Sequence, residues 1–491
     1  MMLLKTLLFL SLTLALPFAH ADGMDVSSSE PHKVKTLETG AASLQIRLEM
    51  IERAQKTIEV EFYEFDEGDA PRLIIEALVK KKTENPAVRI RLLIDYFAPS
   101  NNLDPYYTTA LIKSGVEVKY YNQVFILNVK AVVHRNHRKH IIVDGNEVVA
   151  GGRNMSDAYY DLHEKHNYLD RDIWVQGPIA AVVMESFDTF WNSKRVKVPK
   201  APRRPSETTS VGPRNSAMPN TQAIRRHERR LREAAKFASV FDPQDEDDKR
   251  LLKLREDLRA VGGRLLAEEP TFSVNSVRFI GDGADWKEPN HSLTGKVYYQ
   301  ILDEARESIA IEMPYFYLQN REENFFKRLK ERGIDVDLLL NSVRSSNEFA
   351  INYICLLEGL KFSRYGFDLF LFQGDWMTPE SLVKPHLAET SRWMQHSKTM
   401  LRDDNLTWIG SMNMDPRSIQ RLNAESAIVV DDEAFNAAVR AHVNTRLQAS
   451  DAVADGRLKK DGSDPAKLRG GPLGLLKKLR TLPYYIFERQ I

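Results

Sequence analysis

Residues 134–154 read HRNHRKHIIVDGNEVVAGGRN. A crowd of basic residues gives way to an apolar run, then the turn-former Asp-Gly-Asn, then a second apolar run ending in Gly-Gly-Arg-Asn. Two short apolar runs joined by such a turn predict a strand hairpin. Side chains alternate along an extended strand, so His137 and Lys139 share one face, while His134 and His140 fall on the other. An imidazole nitrogen and an ammonium on one face suit attack on a phosphate and neutralisation of its charge. Asp144 sits at the turn, as an anchor closing the motif. The glycines allow close backbone approach, and Asn154 returns to the same end of the hairpin as a hydrogen-bond donor. Three histidines at this spacing could also suggest a metal site, and the arginines a phosphate patch.

A second copy decides between these readings. Residues 395–413 read QHSKTMLRDDNLTWIGSMN. His396, Lys398, Asp403, Gly410 and Asn413 repeat His137, Lys139, Asp144, Gly151 and Asn154 with every spacing kept (137 to 396 and 154 to 413, 259 positions in each case). Where the first copy has His134, Arg138 and His140, the second has Trp393, Ser397 and Thr399, so those three are not shared machinery. The repetition extends outward. LEMIERAQKTIEVEFYEF (48–65) matches YQILDEARESIAIEMPYFY (299–317), each a helix pattern running into a strand pattern, and further helix–strand pairs follow in both halves.

The expected fold is therefore α/β, with two pseudo-symmetric lobes. Each is a mixed β-sheet flanked by helices, and they pack so that both motifs meet in one cleft. The expected boundaries are a leader over 1–21, a first lobe over 22–195, a linker and charged helical insert over 196–268, a second lobe over 269–470, and an amphipathic tail over 471–491. The leader has one lysine, an apolar run broken by Pro17 and a small-residue Ala-His-Ala ending, the pattern of a cleavable secretory signal. That predicts export, to the periplasm of a bacterium. The 491 residues carry a net charge of +1, which gives no global attraction to nucleic acid or anionic membrane. The basic helix pattern at 221–241 reads either as a phosphate or headgroup contact or as a solvated face. Cys355, the single cysteine, lies in an apolar helix pattern and excludes an internal disulfide.

The doubled His-x-Lys-x4-Asp motif resembles that of the phospholipase D superfamily over nearly the whole chain apart from the leader and central insert. GGRNMSDAYYD and GSMNMDPRSIQRLNAES are similar to the corresponding stretches of bacterial cardiolipin synthases. The resemblance implies a catalytic set of His137, Lys139, Asp144, His396, Lys398 and Asp403, with Asn154 and Asn413 on the phosphate and no metal or other cofactor. It implies His137 as nucleophile and His396 as general acid and base, a distinction on which the sequence itself is symmetric. Asp172, in YLDRDIWV, and Glu425, in RLNAESAIVV, are the carboxylates expected to orient the histidines. Glu61 and Glu64 stand where relatives are less acidic; they read either as facing the cleft mouth and biasing the acceptor or as strand-end surface charges.

The implied activity is transfer of a phosphatidyl group between phospholipids, with phosphatidylglycerol and phosphatidylethanolamine as substrates and a membrane surface as partner. The tail, mixing Leu, Ile, Phe and Tyr with Lys and Arg, suits such a surface or the protein's own core. Hydrolytic release of phosphatidic acid is the runner-up. Cleavage of nucleic acid by an exported phosphodiesterase is a third reading.

Overall fold

The computed structural model describes residues 23–96, 103–123, 134–211, 216–284, 292–345, 349–420 and 422–466. The leader and the tail lie outside these residues. No helix among the described residues is long and apolar enough to cross a membrane.

Two mixed sheets form the molecule. In the first, strands Glu117–Tyr121, Arg89–Asp95 and Thr57–Phe62 run parallel, followed by the antiparallel strands His140–Val143, Glu147–Gly151, Asp172–Gln176 and His32–Leu37. The second repeats the order with Asp368–Phe372, Asp335–Asn341, Ser308–Glu312, Thr399–Arg402, Leu406–Gly410, Ser426–Asp431 and Val277–Asp282. The lobes are not collinear with the chain. Strand Gly23–Ser28 adds to the second sheet beside Val277–Asp282, and strand Phe272–Val274 adds to the first beside His32–Leu37. Each edge strand thereby completes the sheet of the other lobe and ties the two together.

The apolar runs have no polar face because both faces are covered. Ile141 and Val143 point to the outer core of the first lobe, while Ile142 points to a central core shared by both sheets. In the second lobe Met400 faces the outer core and Leu401 the shared one. Helices Ile179–Trp191 and Glu433–Gln448 contribute Val183, Phe187 and Phe190, and Phe435, Val439 and Val443, to that shared layer. Cys355 is buried in helix Phe349–Arg364, where its sulfur accepts from the Phe316 amide.

The central insert is more than a spacer. Helix Glu246–Glu268 sets Leu251, Leu254, Leu258 and Leu266 into the first lobe's core and lies along helix Gly40–Arg53. Gly262 makes the close approach, since a Cβ there would stand 2.7 Å from the Ala41 carbonyl oxygen. Each buried leucine contributes about 2 kcal/mol, so this helix belongs to the lobe's outer layer. Helix Thr221–Phe237 packs on helix Pro105–Lys113 through His227, Ala234 and Phe237.

Candidate active site

The motif hairpins enter the site by crossing from one lobe to the other. Residues Arg135–Asn136 pair in parallel with Asn423–Ala424 of the second lobe, and Arg392–Gln395 pairs in parallel with His166–Leu169 of the first. The His137 amide donates to the Ala424 carbonyl at 2.9 Å, and the His396 amide donates to the Leu169 carbonyl at 2.6 Å. Residues 137–139 thus bridge the cross-lobe pairing and the main-sheet strand, and the two bridges are related by the pseudo-two-fold.

Each histidine is held by a carboxylate of the opposite lobe. Nδ1 of His137 lies 2.9 Å from Glu425, and Nδ1 of His396 lies 2.6 Å from Asp170. A carboxylate on Nδ1 fixes the ring and leaves Nε2 for chemistry. Glu425 is itself held by the hydroxyls of Ser411 and Ser418, at 2.5 and 2.8 Å. Lys139 donates to the His137 carbonyl, while Lys398 donates to the His396 carbonyl at 2.6 Å and sits 3.1 Å from that ring's Nε2. Asn154 donates through Nδ2 to Glu64 at 3.2 Å and to the Tyr159 hydroxyl at 3.1 Å. Oδ1 of Asn154 and of Asn413 is buried without a hydrogen-bond partner among the described residues. Rings of Tyr159 and Tyr168 stand 5.2 Å from His396, and Tyr63 stands 4.9 Å from His137.

Burial dominates the electrostatics of the site. Burial, reinforced by the neighbouring lysines, pulls His396 down to about 3 and His137 well below its ordinary value. Burial also brings Lys139 to about 7 and Lys398 to about 8. Burial raises Glu425 to about 7, whereas for Asp170 the burial effect is outweighed by Lys398 and the His396 hydrogen bond, which hold it below the usual carboxylate range. A phosphodiester anion among these groups would restore the charge of both lysines. Among the described residues, no three His, Cys, Asp or Glu side chains are grouped as metal ligands.

Two expected placements change, those of Asp172 and Glu61, while the motif aspartates keep the turn position expected of them. Asp172 does not reach a histidine. Its carboxylate accepts from Ser43 at 2.7 Å, Arg47 at 3.0 Å and Arg153 at 3.2 Å inside the first lobe. The orienting residue is Asp170, two positions earlier. Register explains the error: Gly151 pairs with Asp172 as Gly410 pairs with Ala427, so Asp172 matches Ala427 and Asp170 matches Glu425. Aligning the apolar strands Ile173-Trp-Val and Ile428-Val-Val picks out Asp170, whereas distance from the motif does not, because Asp170 lies 33 residues after His137 and Glu425 only 29 after His396. Gly152 is the companion signal: a Cβ there would stand 2.3 Å from Asp170 Oδ1, and its counterpart Ser411 instead reaches Glu425 with its hydroxyl.

Asp144 and Asp403 belong to the motif but not to the cleft. Both adopt left-handed backbone, at φ 53° and 49°. The Asp144 carboxylate accepts the amides of Gln55, Lys56 and Thr57, and Asp403 accepts those of Arg306, Glu307 and Ser308. They brace the hairpin turn against the preceding strand.

Glu61 is neither a surface charge nor at the mouth. It is fully buried and accepts from Asn136, Arg138 and His140. His140 spends its other ring nitrogen on Ser426 of the second lobe at 2.9 Å, so both nitrogens are engaged. Glu64, by contrast, lies beside Asn154, and burial with Asp66 nearby raises it to about 7. Its counterpart in the second lobe, by the matching bridges Phe65–Met155 and Phe316–Met414, is Tyr315.

Residues 48–191 and 298–447, together more than half of the chain, match the family described as "Cardiolipin synthase, PLD-like domain". Cardiolipin synthase C of Escherichia coli (strain K12) is 25% identical over 416 residues, covering 81% of this chain and 81% of that one. An uncharacterized protein of Helicobacter pylori is 25% identical over 431 residues, covering 84% of this chain and 79% of its own. The solved phosphatidylserine synthase of Haemophilus influenzae Rd KW20 shares the fold, with a TM-score of 0.63 at 16% identity over 93% of this chain and 95% of that one. With its two matching lobes and paired motifs, the chain belongs to the phospholipase D superfamily, in the cardiolipin synthase, PLD-like domain family.

Proposed function

We propose that the protein is a phosphatidyltransferase of cardiolipin-synthase type, working without a metal ion. The observation that carries this reading is the pair of histidines, each backed on Nδ1 by a carboxylate of the other lobe and each flanked by a lysine. Relatives aligned over more than 80% of this chain bear the name cardiolipin synthase.

His137 attacks phosphorus through Nε2, and the bond to the headgroup oxygen breaks as His396 gives that oxygen a proton. The product is a phosphatidyl-histidine and a free alcohol. The now neutral His396 takes the proton of a second alcohol, whose oxygen attacks phosphorus and releases His137. In the free site burial holds His396 neutral, and the ionised Asp170 together with a bound phosphodiester anion favours the protonated ring that the first step requires. Lys139, Lys398, Asn154 and Asn413 carry the charge of the phosphoryl oxygens through both steps. The acceptor is the glycerol headgroup of phosphatidylglycerol, with phosphatidylglycerol or phosphatidylethanolamine as donor. The leader pattern puts the reaction on the periplasmic side of a membrane.

The test is to incubate the protein with vesicles of phosphatidylglycerol and phosphatidylethanolamine in the presence of chelator and to identify lipid products by mass. Cardiolipin supports the proposal. Phosphatidic acid alone replaces transfer with hydrolysis. DNA cleavage without any lipid product overturns the lipid reading, and loss of turnover to chelator overturns metal independence.

A further inference from the structure

Helix Thr221–Phe237 carries five arginines and a lysine against two glutamates. Its inner face is satisfied: His227 meets the Tyr106 hydroxyl at 2.8 Å, Arg230 pairs with Asp104 at 2.8 Å, and Phe237 packs edge-on against Tyr107. The outer face is a stripe of Arg225, Arg226, Arg229 and Arg232, all exposed. Of these, only Arg229 has an acidic partner among the described residues, Glu233 at 3.4 Å, itself exposed. Leu231 is exposed beside the stripe.

The placement of the stripe gives it a use. Arg230 also approaches Glu67 at 3.8 Å, in the same loop that delivers Tyr63 and Glu64 to the active site. The far end of the helix is tied to the far end of Pro105–Lys113, where Ser114 donates to the Ala238 carbonyl at 2.8 Å. The helix therefore runs from the body of the lobe toward the active-site end. Its first six residues, Thr221–Arg226, precede His227, the first contact with Pro105–Lys113, and at about 1.5 Å per residue they add roughly 9 Å beyond it. Exposed guanidinium groups, three of them without an acidic partner among the described residues, on a helix that runs toward the cleft match a surface dense in phosphate.

We infer that the exposed face of helix Thr221–Phe237 docks the enzyme on an anionic lipid bilayer and so presents the cleft to membrane-embedded substrate. This rests on the proposed lipid substrate, and it adds a binding surface separate from the chemistry. Each basic group near such a surface is worth about 1 kcal/mol, so removing three weakens vesicle binding about a hundredfold.

The experiment compares the full chain with its Arg225→Ala/Arg226→Ala/Arg232→Ala variant. Co-sedimentation with vesicles of phosphatidylglycerol and phosphatidylcholine is measured at low and high salt, alongside turnover of a short-chain phosphatidylglycerol below its micelle concentration. The expected result is salt-sensitive binding by the parent, about a hundredfold weaker in the variant, with turnover of the monomeric lipid kept. Equal vesicle binding by the two proteins overturns the inference, as does a parent that binds duplex DNA through these arginines in preference to vesicles. A parent that binds vesicles through the stripe but turns over neither lipid form overturns the proposed activity and leaves the docking surface standing. Because the three positions are exposed, circular dichroism of the variant should match that of the parent.

Discussion

Asp170 of the first lobe accepts a hydrogen bond from Nδ1 of His396 in the second at 2.6 Å. The reciprocal contact, Glu425 to His137 at 2.9 Å, makes each histidine dependent on the other lobe. Neither half can orient its own imidazole, so catalysis requires the lobes to be docked. The cross-lobe strand pairs and the exchanged edge strands hold them in that relation.

Asp170 and Asp172 should separate cleanly on mutation. Asp170→Asn is expected to lower turnover about a hundredfold or more, because the ring loses its orienting charge, while the thermal midpoint changes little. Asp172→Asn leaves Arg47 and Arg153 buried with a diminished counter-charge. It should destabilise the protein by about 3–5 kcal/mol. Turnover per folded molecule and a denaturant titration of each variant check this. Full activity in folded Asp170→Asn would refute the orienting role.

Asp144→Ala and Asp403→Ala test the turn-anchor role. Each removes a carboxylate that accepts several backbone amides at a turn. The expected cost is about 2 kcal/mol of stability, with turnover of the folded fraction nearly unchanged. His137→Ala and His396→Ala, by contrast, should abolish turnover without lowering the melting temperature. If the aspartate variants fold like the parent and lose activity, the bracing role is wrong.

Phosphate binding should consume protons above neutrality. In the free enzyme burial holds Lys139 at about 7, so at pH 8 it is mostly neutral. A bound phosphate anion favours the ammonium and raises that value. Binding at pH 8 then takes up a proton, and affinity falls as pH rises past 7. Calorimetric titration with inorganic phosphate in buffers of different ionisation enthalpy measures the uptake. Lys139→Ala should remove most of it.

Glu64→Gln should strengthen anion binding only when the native carboxylate is charged. Glu64 titrates at about 7 beside Asn154, so above that pH its charge repels a phosphate, and below it the proton removes the repulsion. Inhibition by inorganic phosphate should tighten several-fold in the variant at pH 8 and hardly at all at pH 6. Equal tightening at both pH values would place the effect elsewhere.

The doubled motif, the α/β lobes and the choice of His137 over His134 and His140 were legible in sequence, because strand alternation and an exact repeat are local, periodic signals. Glu425 was legible too, through the resemblance of RLNAES to the family's stretch after the second motif. Sequence points to Asp172 in place of Asp170 because partnership across a seam depends on register between two sheets, and the first lobe's connection is four residues longer than the second's. The same limit hid Glu61, which reads as either a cleft-mouth or a surface charge but which Arg138 and His140 neutralise inside. Sequence by itself singled out His137, Lys139, His396 and Lys398, since strand alternation and the exact repeat mark them. Tertiary structure alone decided which carboxylate holds which histidine, because an ion pair is chosen by distance in space, and only the docked lobes set that distance.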